Sequence, residues 1–176
     1  MNITNAELND ADKIIALYTK VANAMQASPF TAYWKMGVHP TEKGLLDAIN
    51  TETMYVLKDD NAKIIGTMIL NNDDTVGYNE AKWLIDVPKS KVMILHLLAI
   101  DPDMRGKGCA EMMMRYAFKI AKTKHALSFR LDAIKTNIPT QKLYQKCGMT
   151  IVGETEEKIE TGDIIPFVIY EKPILD

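Results

Sequence analysis

The stretch Lys91–Ala110, KVMILHLLAIDPDMRGKGCA, decides how this chain is read. It opens with an apolar run, Val92 to Ile100, interrupted only by His96. That length suits one strand buried on both faces, and Asp101-Pro102 ends it. Arg105-Gly106-Lys107-Gly108-Cys109-Ala110 comes next, after which apolar residues recur at helical spacing: Cys109, Met112, Met113, Tyr116, Ala117, Ile120 and Ala121. A strand therefore leads through a glycine-rich turn into a helix N-terminus. Backbone N–H groups converge in such a turn, the helix end adds partial positive charge, and Arg105 and Lys107 add full charges. Gly106 and Gly108 let an anion approach the backbone closely. The local expectation is a cradle for phosphate or pyrophosphate.

Two familiar cradles are excluded. The chain holds no G-x-x-x-x-G-K-S/T loop and no G-x-G-x-x-G fingerprint. Its 176 residues make one domain over 1–176 the expectation, and a chain of this size buries roughly 70% of its unfolded surface. A net charge of −2 gives no reason to expect a nucleic-acid partner. Cys109 and Cys147 lack metal-ligand spacing, and with three scattered histidines they give no zinc signature, so no metal is expected. Two free thiols and an N-terminus, MNITNAELNDADK, without an apolar leader suit a cytoplasmic protein. No stretch is apolar for long enough to span a membrane, so no membrane association is expected.

Read in order, Met1 to Leu8 is a short first strand. Asp10 suits a helix N-cap, and Ile14, Leu17, Tyr18, Val21 and Met25 form one helical stripe. Phe30 to Pro40 reads as a loop, and Thr41 caps a second helix bearing Leu45, Leu46 and Ile49. Met54 to Lys58 and Ala62 to Leu70 form a hairpin around Asp59-Asp60-Asn61. Tyr78 to Pro88 is irregular. After the central strand and its helix come a strand to Ile134, a helix from Asn137 that ends at Gly148, a strand from Met149 to Gly153, an acidic turn from Glu154 to Asp163, and a last strand from Ile164. The order β α α β β β α β α β β predicts a mixed sheet with helices on its faces.

The cradle, R-x-x-G-x-A after a strand ending LAIDP, resembles the acetyl-CoA motif of the GNAT superfamily of N-acetyltransferases. A second segment, Leu131 to Met149, resembles the stretch that follows in that family, N-x-x-A/P/T-x-x-L-Y-x-K-x-G-F/M, with Asn137, Leu143, Tyr144, Lys146 and Gly148 in register. Thr140 and Met149 stand where Ala and Phe are commoner. The element order is also that of the family. The resemblance implies an α/β (α+β) fold: a GNAT-like mixed, mostly antiparallel sheet with helices on both faces and a splayed central strand pair. It implies acetyl-CoA as co-substrate, entering the splay with its pantetheine arm along Leu98, Ala99 and Ile100. The pyrophosphate would sit on Arg105, Gly106, Lys107, Gly108, Cys109 and Ala110, with Asn137 and Tyr144 completing the cofactor set. The acceptor would be a small-molecule or peptide amine, and a homodimer is compatible with the family.

An alkylamine has a pKa near ~10.4 and must lose a proton before it attacks the thioester, while the departing thiolate gains one. By the resemblance, Tyr144 would donate the latter; the alternative is a tyrosine packed in the core. His96 is the one titratable group on the central strand and the candidate acceptor of the amine's proton; the alternative is a satisfied buried histidine. By strand alternation His96 shares a face with Leu98 and Ile100 unless a bulge intervenes. Cys109 at a helix N-terminus would have a lowered thiol pKa, but it also belongs to the apolar stripe, where packing is the better reading. By the resemblance Tyr33, Trp34 and Trp83 flank the acceptor side and are candidates for an apolar wall there, with ordinary packing the alternative; Glu154, Glu156, Glu157 and Glu160 are candidates to attract a cationic amine, with a solvated turn the commoner reading. Two other functions stay open: a non-catalytic acyl-CoA-binding or sensing domain, and a transferase of a longer acyl group.

Overall fold

The computed structural model describes residues 1–26, 28–30, 33–75, 77–158 and 163–174. Seven strands form one sheet: β1 (Asn2–Asn5), β2 (Met54–Lys58), β3 (Ile64–Asn71), β4 (Val92–Ile100), β5 (Ser128–Ile134), β6 (Thr150–Lys158) and β7 (Ile164–Pro173). Their spatial order is β1-β2-β3-β4-β5-β7-β6. Every neighbouring pair is antiparallel except β4 and β5, which are parallel. Helices α1 (Ala11–Gln26) and α2 (Glu42–Asn50) cover one face. Helices α3 (Cys109–Thr123) and α4 (Ile138–Lys146) cover the other. The element order and the mostly antiparallel mixed sheet are those expected.

Each helix sits where its apolar stripe directs it. Ile14, Leu17, Tyr18 and Val21 of α1 pack with Leu45 and Ile49 of α2 on Met54, Val56 and Ile69. Met113, Met114, Ala117 and Ala121 of α3 pack on Leu57, Met68, Leu95, Phe129 and Leu131. Burying a side chain of this kind is worth about 1.5–3 kcal/mol. α3 comes close enough to β3 that a Cβ on Gly66 would lie 2.8 Å from Met113 Sδ and 2.9 Å from Ile100 Cδ1. Thr41 caps α2 as expected, its Oγ1 accepting from the Gly44 N–H at 3.0 Å.

Two local expectations change. Asp10 does not cap α1; it ends a 3-10 turn, Leu8–Asp10, and its buried carboxylate pairs with Lys58 Nζ at 2.9 Å. The acidic run after Met149 is not a turn: β6 continues through Glu154, Glu156 and Glu157 to Lys158, paired along β7. β6 is the sheet's edge, where charged side chains are tolerated because every second one meets water. Glu160 lies outside the described residues.

The feature that makes a site is a break in the middle of this sheet. β4 and β5 pair only at Val92↔Ser128, Met93↔Phe129 and Ile94↔Arg130. From Leu95 onward β4 stays with β3, while β5 follows β7 to Ile134↔Phe167. The cause lies in β4. Ile69 is opposite His96 and Thr67 is opposite Ala99, so β4 holds an extra residue there. That residue is Leu97, at φ +51°. A left-handed conformation costs a non-glycine residue roughly 1–2 kcal/mol, so it must be held in place. The buried Tyr18 hydroxyl does so, donating to the Leu97 carbonyl at 2.7 Å.

Candidate active site

The bulge decides which way β4 side chains point. Met93 and Leu95 face α3, and beyond Leu97 so do Leu98 and Ile100. His96 therefore lies on the opposite face from Leu98 and Ile100, as Ile94 does before it and Ala99 after it. The shared face expected from plain alternation is corrected by that extra residue.

A cavity of about 730 Å³ opens where the strands part. Leu95, His96, Leu97 and Leu98 line it from β4, and Asp132, Ala133 and Ile134 from β5. Asn137, Thr140 and Tyr144 close it from α4, while Tyr33, Trp34 and His39 approach from the segment between α1 and α2. Ala99 and Ile100 are not part of the lining; they pair with Thr67 and Gly66 on the β3 side, and the Ala99 side chain is buried under α1. Trp34 also packs on Tyr18, with ring centroids 5.6 Å apart. Trp83 is elsewhere: it lies under Arg130, whose Cζ is 3.6 Å from its ring centroid, and lines a separate cavity of about 370 Å³.

The cradle follows β4 directly. Asp101 ends the strand and is clamped by Lys20 Nζ at 2.6 Å, Lys63 Nζ at 3.1 Å and the Asp103 N–H at 3.0 Å. Burial alone would raise its pKa, but the bonds from Lys20, Asp103 and Lys63 outweigh burial and hold it at about 2. Arg105, Gly106, Lys107 and Gly108 are exposed, and neither Arg105 nor Lys107 forms an ion pair among the described residues. Gly106 and Gly108 have φ of +74° and +78°, and a Cβ on either would meet nothing within 4 Å. The first bond of α3 runs from the Met112 N–H to the Gly108 carbonyl at 2.9 Å. The N–H groups of Cys109, Ala110 and Glu111 thus have no intrahelical acceptor, and no side chain among the described residues caps the helix. Open space, unsatisfied donors and two free cations fit a pyrophosphate. Cys109 itself turns into the core and is 2% exposed, the packing position read for it. Lys146 of the second motif reaches Glu111 Oε2 at 2.5 Å and so ties α4 to the start of α3.

Tyr144 is buried, and its ring packs edge-on to Tyr170 with centroids 5.8 Å apart. Burial, with the Asp132 charge second, raises its pKa, so the phenol keeps its proton at neutral pH. Asn137 caps α4, its Oδ1 accepting from the Thr140 N–H at 3.3 Å. His96 has its pKa lowered by burial, against the opposing pull of Asp73, and is neutral at pH 7. Its Nε2 is buried without a partner among the described residues.

Two residues of the cavity wall escaped the sequence reading. Asp132 accepts hydrogen bonds from Thr75 Oγ1 at 3.1 Å and from the Tyr78 hydroxyl at 3.3 Å. His39 comes within electrostatic reach of both His96 and Glu157. Asp132 had a readable signal: in SFRLDAI, Arg130 and Asp132 alternate with Phe129, Leu131 and Ala133, which marks one polar face on an otherwise buried strand. His39 had none.

Comparisons with known proteins agree with this geometry. The sequence profile of the acetyltransferase (GNAT) family matches residues 16–149. Streptothricin acetyltransferase from Escherichia coli is 41% identical over 56 residues, a segment that spans only 32% of this chain and 32% of that protein. A GNAT family acetyltransferase from Streptococcus agalactiae superposes with a TM-score of 0.80 at 22% identity, covering 99% of this chain and 96% of that one. A Salmonella typhimurium protein, solved with its cofactor acetyl-CoA, superposes with a TM-score of 0.73 at 13% identity, covering 100% and 95%. At these identities the solved structures speak for the fold, whereas the profile match extends over most of the chain, and this protein belongs to the GNAT family of acetyltransferases.

Proposed function

We propose that residues 1–176 act as one N-acetyltransferase domain that moves an acetyl group from acetyl-CoA to a primary amine, by direct attack within one ternary complex. The observation that carries this reading is the parting of β4 from β5 beyond Ile94, beside an uncapped helix N-terminus. A strand edge released from its neighbour can pair with an extended amide-containing chain, and the free N–H groups of α3 can hold a pyrophosphate. Bound there, acetyl-CoA supplies the activated acyl carbon. Leu98, Ala99 and Ile100 provide the backbone beside the arm, Arg105 to Ala110 the cradle, and Asn137 fixes the start of α4.

In this reading Tyr144 donates the proton that the departing thiolate takes up. A phenol kept neutral by burial suits that task. His96 accepts the amine's proton, directly or through a water, since burial keeps it neutral at pH 7. Cys109 forms no covalent intermediate, because its thiol is packed against the core. Among the described residues no helix is long and apolar enough to cross a membrane, and the domain is proposed to work in the cytoplasm, alone or as a homodimer.

The deciding experiment offers acetyl-CoA with a panel of primary amines and reads free-thiol release, with product mass identifying the acetylated amine. Release that depends on the amine is expected. Tight acetyl-CoA binding without release on any amine would instead make this an acyl-CoA sensor, and faster turnover with longer acyl-CoA thioesters would change the donor.

A further inference from the structure

Asp132 stands on β5 just where β4 has left it, on the same face of the sheet as Arg130 and opposite Phe129, Leu131 and Ala133. Its carboxylate opens on the cleft. A charge withdrawn from water normally carries a counter-ion, and Asp132 has none among the described residues: its bonds come from two neutral hydroxyls, Thr75 and Tyr78, and both end on Oδ1. The cation nearest along the strand is already committed. Arg130 Nε lies 3.2 Å from the buried Glu171 Oε1 and 3.0 Å from Ser128 Oγ, and its guanidinium is stacked on Trp83. Lys35 and Lys158 line the same cavity, but neither pairs with Asp132. Glu157, from β6, stands close enough to repel it.

So the wall across from His96 holds a half-buried carboxylate that is positioned by hydroxyls and has no cation among the described residues. Glu157 in the lining is an acid as well, Asp74 is already paired with Lys89 Nζ at 2.9 Å, and the cations among the described lining residues are the lysines Lys35 and Lys158, with no arginine. Beside Asp132 and Glu157 an ammonium is attracted and a carboxylate carried next to it is repelled. Trp34 and Phe167 give the rest of the molecule an apolar surface.

We propose that Asp132 is the residue that recognises the acceptor, binding its ammonium group, and that acceptors are amines with no carboxylate on the carbon bearing the nitrogen. The second half separates simple amines from α-amino acids. Burial raises the pKa of Asp132, with Thr75 and Tyr78 pulling it down and Glu157 pushing it up, and an arriving ammonium would lower it. The groups facing it are Tyr144 from α4, Thr75 and Tyr78 from the segment after β3, and Glu157 from β6.

The inference rests on the acetyl-transfer reading only for the fate of the bound amine, so its test contains no acetyl donor. Tyramine, 1,5-diaminopentane and their carboxylated counterparts tyrosine and lysine are titrated calorimetrically into wild type and Asp132→Asn. At least one of the two decarboxylated amines should bind tenfold or more tightly than its amino acid. Asp132→Asn should lose tenfold or more of that affinity while binding coenzyme A within twofold of wild type. Preference for the amino acids, unchanged amine affinity in Asp132→Asn, or no binding of either amine to wild type at millimolar concentration overturns the proposal. Should Asp132→Asn fail to fold, carboxyl-carbon NMR on wild type decides: the apparent pKa of Asp132 must fall when the amine is added, and an unmoved titration overturns the proposal. A failure of acetyl transfer itself would show separately, as absent thiol release from protein that binds these amines.

Discussion

Asp101, buried at the end of β4, and Asp132, half-buried on β5, are two carboxylates on the strands that separate, and they are treated in opposite ways. Asp101, beside the cradle, has two lysines and a backbone N–H, and its pKa sits at about 2. Asp132, in the cleft wall, has two hydroxyls and a raised pKa. The first charge is settled within the protein and fixes where β4 ends. The second is left for something else to settle. A polar group paired at home contributes to the fold, whereas one left short contributes to binding at a cost in stability.

The contrast between a finished donor end and an unfinished acceptor end can be broken most severely at the cradle. Gly108→Asp should abolish measurable acetyl-CoA binding, because an anion placed among the unsatisfied N–H groups of α3 repels the pyrophosphate. The amines that bind the cleft should still bind. Calorimetry on folded variant tests this, and undiminished acetyl-CoA affinity removes the cradle assignment. Next in size is Tyr144→Phe. It takes away one hydroxyl and keeps the ring on Tyr170, so acetyl-CoA affinity should hold within a few-fold while kcat falls by roughly 10²-fold. A wild-type kcat, with chemistry rate-limiting, would make Tyr144 a packing residue.

A smaller effect is expected at His96, set across from Asp132. If it takes the amine's proton, kcat/KM of wild type falls as pH drops through a pKa below the ordinary histidine value, the direction in which burial moves it. Asp73 and His39 act on this titration, so the comparison needs His96→Gln, which should lose that acidic limb and run roughly tenfold slower at neutral pH. An unchanged profile and rate reject the role.

The smallest effects test the contrast itself, and they have opposite signs. The lowered pKa of Asp101 means that its contribution to stability is present above the unfolded value near ~4 and is lost as pH falls through about 2. Asp101→Asn should therefore lower Tm at pH 7, by about 2–8 °C. For Asp132 the raised pKa means a penalty that is absent below ~4 and grows as pH rises. Asp132→Asn should raise Tm at pH 7, by about 2–4 °C, and the gain should vanish in acid. Thermal melts across pH read both, and a fall in Tm for both variants would erase the distinction.

Most of the architecture was legible because periodicity and capping speak locally. The strand Val92–Ile100, the glycine turn, the stripe of α3 and the Thr41 cap are each fixed by residues within a few positions of one another. What escaped depends on contacts far apart in the chain. Leu97 carries no bulge signal, being neither glycine nor asparagine, and its conformation is secured by Tyr18 from a helix 79 positions away. The acidic stretch after Gly153 reads as a turn until β7 pairs with it. Asp132 was visible as a charge in an apolar strand, but what it lacks became visible only once Arg130 was seen to be committed to Glu171.

The bulge at Leu97 also governs how this protein should be aligned with its relatives. An insertion of one position in a strand leaves no loop and no shift in hydropathy, so a gapless alignment of β4 looks sound on both sides of it. Yet it exchanges the faces: a relative with one residue fewer between Leu95 and Leu98 would match His96 by column and aim that side chain at α3. Transfer of a residue's role across the family by gapless alignment column is therefore safe on only one side of Leu97, and on the other it requires counting the residues of the partner strand.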